Sequence, residues 1–181
     1  MSWDVSIYGP VDPPPDAERE LEVLPSLGLL TAVSESMQRI LPAMAWEELA
    51  SGADVLARTE ADGMHWGEVM RQFMMSKPAT VAGLYEDGDL SLEFSFFTAD
   101  HLFARRTDEV RSIQVAVRGS GDPIVVLRRL AEATGWLMYD GSTLQRLRFE
   151  APDTDRRWKE FQSYVRNAVA REAEDDDEAD G

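Results

Sequence analysis

The sequence predicts an α+β domain, an antiparallel sheet of about five strands with helices packed on one face. Three observations predict it. Leu90, Leu92, Phe94 and Phe96 alternate with Ser91, Glu93 and Ser95, the period of two expected of a strand with one buried face. Glu86-Asp87-Gly88-Asp89 separates that run from Thr80–Tyr85, and its Asp-Gly step suits the positive φ of a tight turn, so the two runs form a hairpin. Leu30, Val33, Met37, Ile40 and Leu41 recur at intervals of three and four before Pro42, which marks an amphipathic helix over about 29–41.

The remaining elements follow in chain order. Trp3, Val5 and Ile7 alternate in a first strand that Gly9-Pro10 ends, and Pro13-Pro14-Pro15 makes 11–16 an extended connector. Trp46-Glu47-Glu48-Leu49-Ala50 reads as one turn of helix. A further helix runs from Trp66 to about Lys77, with Val69, Met70, Phe73 and Met74 inward and Pro78 as its stop. The methionines of this region, Met64, Met70, Met74 and Met75, read as fillers of core gaps.

A third strand over 110–118 puts Ile113, Val115 and Val117 on the core side and completes an antiparallel meander. Arg118-Gly119-Ser120-Gly121-Asp122-Pro123 then turns into a helix over 124–134. There Asp122 caps the first free amides, and Pro123 occupies a position where its missing donor is not needed. Val125, Val126, Leu130 and Ala133 are expected to face the sheet, and Gly135 ends the helix. Residues 136–139 and 144–149 supply two more strands around Asp140-Gly141, and a helix over 155–171 carries Trp158, Phe161, Tyr164, Val165 and Ala168 at helical spacing.

The 181 residues are enough for one domain, taken as 1–171, with 43–89 as an insertion within it and 172–181 as a disordered acidic tail. The absence of cysteine rules out disulfides, thiolate metal sites and a thiol nucleophile, and it fits a reducing cytoplasm. Residues 1–9 have neither the basic nor the apolar region of an export signal, and no apolar run approaches a membrane span. Thirty-four acids against 18 bases give a formal charge of −16, which disfavours nucleic acid and anionic membrane as partners. The charge is uneven: residues 1–100 hold 18 acids and five bases, whereas 101–171 hold nine acids and 13 bases.

The motifs favour no cofactor, metal or catalytic group. Arg118, Gly119, Gly121, Asp122 and Pro123 resemble a phosphate loop only superficially, since no Gly-Lys-Ser/Thr follows and Asp122 already places a negative charge at the helix start. They read as a structural strand-to-helix turn. His65 and His101 lack a second ligand at metal spacing, and no serine sits in a nucleophile elbow. The remaining candidate is the acidic front region, where Glu47, Glu48, Asp54, Glu60, Asp62 and Glu68 are interleaved with Trp46 and Trp66, and Glu86, Asp87 and Asp89 cluster at a hairpin tip. Such a surface steers a basic partner and anchors it with aromatics.

Met1-Ser2-Trp3-Asp4-Val5, Leu27-Gly28 before a helix ending in Leu41-Pro42, the Leu90–Phe94 strand, and Val115–Pro123 followed by Gly135-Trp136 and Asp140 resemble a group of small bacterial proteins beginning MSWD. That group is similar to the immunity proteins of polymorphic toxin systems, which are small, acidic, α+β and non-enzymatic. The resemblance covers about 1–9, 27–42 and 90–149. It implies a protein that neutralises a cognate basic toxin domain by direct occlusion. Two other functions fit the same sequence: a regulatory or scaffold module, homodimeric through an exposed sheet edge, or a hydrolase or transferase working through carboxylates alone. The sequence itself sets no oligomeric state.

Overall fold

The computed structural model describes residues 2–10, 24–77, 79–100, 102–150, 154 and 156–163. The elements run β1 (Trp3–Tyr8), β2 (Gly28–Leu29), α1 (Leu30–Ile40), β3 (Ala45–Leu49), α2 (Gly52–Ala61), α3 (Glu68–Met75), β4 (Thr80–Asp87) and β5 (Leu90–Phe97). Then come β6 (Glu109–Val110), β7 (Ser112–Gly119), α4 (Pro123–Thr134), β8 (Leu137–Asp140) and helical residues 154 and 156–163, here α5. Six strands form one antiparallel sheet in the order β3-β4-β5-β7-β1-β8, and β2 pairs with β6 beside it.

The α+β class and the antiparallel sheet are as the sequence predicts. One face of the sheet is apolar because the period-two pattern places Trp3, Val5 and Ile7 of β1, Leu90 to Phe96 of β5, and Ile113 to Val117 of β7 on the same side. Leu30, Val33 and Met37 of α1, Ile124, Leu127 and Leu130 of α4, and Trp158 of α5 close over that face in a single cluster. Trp158 is 4% exposed, with its ring centroid 5.5 Å from that of Trp3. The opposite face carries a smaller cluster, Tyr8 and Leu24 with Phe97 and Tyr139, and, toward the other end of β5 and β7, the Arg118–Glu93 ion pair at 3.3 Å.

Several expectations are corrected. Residues 46–50 are not a helical turn: 45–49 form β3, in register with β4 from Ala45–Leu84 to Leu49–Thr80. The helix-favouring Ala, Glu and Leu are overridden by this pairing and by Trp46, which packs on Phe96 at 5.7 Å between centroids and donates from Nε1 to Gln38 of α1 at 2.7 Å. Strand 144–149 reduces to one bridge, Tyr139–Arg146, because the chain after Asp140 turns through 141–143 and Leu144 adopts a φ of 55°. On α4 the spacing of three from Ile124 selects the inner face, so Val125 and Ala133 point outward while Val126 is buried.

The largest correction concerns α3, which has no buried residue. Val69, Met70 and Phe73, expected inward, are exposed, and so are Met64 and Met75, expected to fill core gaps; Met74 is half-buried. Residues 52–61, which were not assigned from the sequence, form α2, started by a capping box between Ser51 and Asp54. Residues 43–89 thus contribute β3, α2, α3 and β4, the first and last of these hydrogen-bonded into the sheet. The connector 11–16, His101, the end of the last helix with Tyr164, Val165 and Ala168, and the tail 172–181 lie outside the described residues.

Candidate partner-binding site

The α2–α3 hairpin joins β3 to β4 and is closed at its base by Gly52, whose N–H donates to the carbonyl of Lys77 at 3.0 Å. A Cβ at Gly52 would stand 1.8 Å from the carbonyl oxygen of Met74, so the approach needs glycine. Between hairpin and sheet lies a groove of about 320 Å³, walled by Leu49, Val55, Phe73, Met74, Leu102 and Phe103. Its mouth continues into a broader depression of about 630 Å³ that shares Ser76, Leu102 and Phe103. The loop carrying Leu102 and Phe103 is pinned to the end of β5: Ala104 N–H donates to Phe96 at 2.7 Å, and the rings of Phe97 and Phe103 lie 4.9 Å apart.

Around this groove α3 presents Val69, 85% exposed, with Met70, Phe73 and Met75. Lys77 Nζ stands 4.4 Å above the Phe73 ring and is the cation in the groove wall. In the broader depression the cations have internal partners: Arg105 pairs with Asp108 at 2.9 Å and Arg111 with Glu109 at 2.7 Å. The hydrogen bond from Arg105 holds the Asp108 carboxyl below its usual range, against a smaller opposing effect of burial.

The acidic residues named from the sequence separate into three groups. Glu48 and Glu60 pair with this molecule's own arginines, Arg106 at 3.0 Å and Arg71 at 3.3 Å, in exposed bridges of small energetic weight. Asp54 serves the α2 cap, Glu68 accepts from Gln72 at 2.9 Å, and Asp89 accepts from Ser120 Oγ at 3.4 Å. Glu47, Asp62, Glu86 and Asp87 are exposed and form no ion pair among the described residues.

Nor do these carboxylates share one place. Glu47 lies opposite Ala82 near the start of β4, whereas Glu86 and Asp87 sit at its other end, roughly 15 Å away at the rise of an extended strand. The two tryptophans named as anchors are half-buried and held internally, Trp46 by Gln38 and Trp66 by Thr59 Oγ1 at 2.7 Å. The apolar side chains near the groove that do face solvent include Leu49, Val69, Phe73, Leu102 and Phe103. Sequence reasoning missed them because helical spacing marks α3 as amphipathic without saying what meets its apolar side, and because Leu102-Phe103 lies in a loop with no periodic signal.

The structural turn is built tightly. Gly119 has a φ of +88°, and a Cβ there would lie 1.6 Å from the carbonyl oxygen of Asp89. Asp122 accepts from Ile124 N–H at 2.9 Å at the start of α4, so a carboxylate already occupies the N-cap. Among the described residues no group of three His, Asp or Glu side chains is placed to hold a metal ion, and no helix is long and apolar enough to cross a membrane. Among the described residues, the ionisation of Arg105, Asp108 and Asp140 is displaced, and each is engaged in internal hydrogen bonds. Comparison with family models, curated proteins and solved structures found no match to the chain.

Proposed function

We propose that this chain is an immunity-type, antitoxin-like protein, acting in the cytoplasm, that occludes a basic toxin domain by stoichiometric binding. The observation that carries the reading is α3, a helix with no buried side chain that presents Val69, Met70, Phe73 and Met75 to solvent next to an apolar groove. Val69, Met70 and Phe73 share one side of α3 at helical spacing, and an exposed apolar face of this kind on a highly charged protein is the expected signature of a protein-binding site. The charge of −16 and Glu47 and Asp62, which form no ion pair among the described residues, supply the long-range attraction for a cationic partner. Apolar anchors then give the bound state its lifetime, while the carboxylates raise the rate of encounter.

The reading expects a toxin domain to be encoded beside this gene, and the test is expression of the neighbouring gene's product with and without the present chain. The reading expects growth arrest relieved only by co-expression, and a one-to-one complex that forms more slowly as salt rises. A neighbouring toxin that is inactivated catalytically at substoichiometric amounts of this protein, or a complex whose rate of formation ignores salt, overturns it.

A further inference from the structure

The two margins of the sheet differ. At the β8 margin the chain covers itself: Asp140 N–H donates to Gln145 at 3.0 Å, and Leu147 N–H donates to Met138 at 2.8 Å. At the other margin the backbone of β3 bonds, among the described residues, only to β4, and Ala45, Glu47, Glu48 and Leu49 are exposed. An uncovered edge strand offers a row of free amides and carbonyls to another extended chain.

The side chains of β3 decide which chain it is. Successive residues of a strand point to opposite faces, so adjacent Glu47 and Glu48 put one carboxylate on each side of the same edge. Glu47 is also the central residue of the five in β3. Antiparallel pairing of two copies in full overlap would therefore set Glu47 directly against Glu47, on chains of −16 each, an opposed arrangement. A foreign strand with two adjacent cations in the same place meets Glu47 directly and shares Glu48 with Arg106, which stands 3.0 Å from it, and its next side chain on the Glu47 face reaches Leu49 and the groove beyond it.

We infer that β3 is a docking edge that takes up an extended basic segment of the partner, with a pair of adjacent Lys or Arg residues opposite Glu47 and Glu48. The basic character of that segment rests on the function proposed above; the open edge does not.

The test uses the full chain, isotope-labelled for amide exchange, and three nine-residue peptides. The first alternates Val and Thr around two central lysines; the second is the same peptide N-methylated at every backbone amide, which keeps the charge and removes the donors; the third carries glutamates in place of the lysines. The lysine peptide is expected to slow exchange of the amides of 45–49, and to bind at least about tenfold more tightly than either control. Glu47→Lys, at an exposed site with no ion pair, weakens that binding while leaving the circular dichroism unchanged. Equal binding of the methylated peptide, protection on α3 instead of β3, or no binding of the lysine peptide at millimolar concentration overturns the docking edge and leaves the basic-partner reading standing. Equal binding of the glutamate peptide, with β3 still protected, overturns the basic character of the partner instead.

Discussion

The indole Nε1 of Trp3 donates to Oδ2 of Asp140 at 2.9 Å, a buried bond between side chains 137 positions apart that ties β1 to the end of β8. The other oxygen, Oδ1, accepts from Ser142 N–H at 3.0 Å, Ser142 Oγ at 2.6 Å, Thr143 N–H at 2.9 Å and Thr143 Oγ1 at 3.0 Å. Burial opposes the charge of this carboxylate, but the bonds from Ser142, Trp3 and Thr143 together outweigh it and hold the carboxyl below its ordinary range. Asp140 is thus a structural lock, buried and engaged through both oxygens.

A folded value below the unfolded value of about 3.9 means that the ionised Asp140 stabilises the protein fully above that pH. The contribution disappears as pH falls through the lower folded value. Asp140→Ala should cost about 3 kcal/mol at neutral pH, because it orphans buried donors as well as deleting bonds. Urea unfolding of both proteins at pH 7 and near pH 3 should show the gap between them narrowing under acid. A gap independent of pH would assign the loss to packing instead.

Gly119 and Gly88 both have positive φ, +88° and +57°, yet only Gly119 is crowded by backbone. Gly119→Ala would combine a disfavoured conformation with a Cβ 1.6 Å from the Asp89 carbonyl, so a loss above about 2 kcal/mol is expected. Gly88→Asn, in open space at the hairpin tip, should change stability by less than about 0.5 kcal/mol. Thermal unfolding of the two variants side by side makes the comparison.

These sites show which parts of the molecule the sequence discloses. Strand β5 was legible because one of its faces is apolar and the other polar, so Leu90 to Phe96 announce the period directly. The start of α4 was legible because Asp122 and Pro123 act within their own turn. β3 was not, since Ala45, Glu47, Glu48 and Leu49 favour a helix locally and only pairing with β4 makes them a strand. The candidate site was half legible: its acids were visible as composition, but their own arginines and caps claim several of them, and the exposed apolar residues carried the same pattern as a core helix.

Trp158 tests the docking of α5. Its ring lies against Trp3 and stacks on Phe161 at 5.6 Å, inside the cluster shared with α1 and α4. Trp158→Ala should cost about 3 to 4 kcal/mol, a magnitude typical of emptying a buried aromatic site, and chemical denaturation at neutral pH measures it. A loss under about 1 kcal/mol would mean that the helix is dispensable to the core.

The same reasoning inverted applies to α3. Substituting a largely exposed side chain leaves folding intact, so Val69→Gln should shift stability by no more than about 0.5 kcal/mol and Phe73→Gln, which also loses its place in the groove wall, by no more than about 1 kcal/mol. Leu56→Ala, on the buried side of the adjoining α2, should cost about 2 to 3 kcal/mol and serves as the control. If α3 anchors the partner, the Phe73 variant should raise the dissociation rate of the complex at least about tenfold. Charge reversal at Asp62, exposed and without an ion pair among the described residues, should instead slow association and flatten its salt dependence. Stopped-flow binding at several salt concentrations separates the two effects: anchors act on the departure of the partner, steering charges on its arrival. A Phe73 variant that keeps the dissociation rate unchanged would move the anchor elsewhere on the molecule.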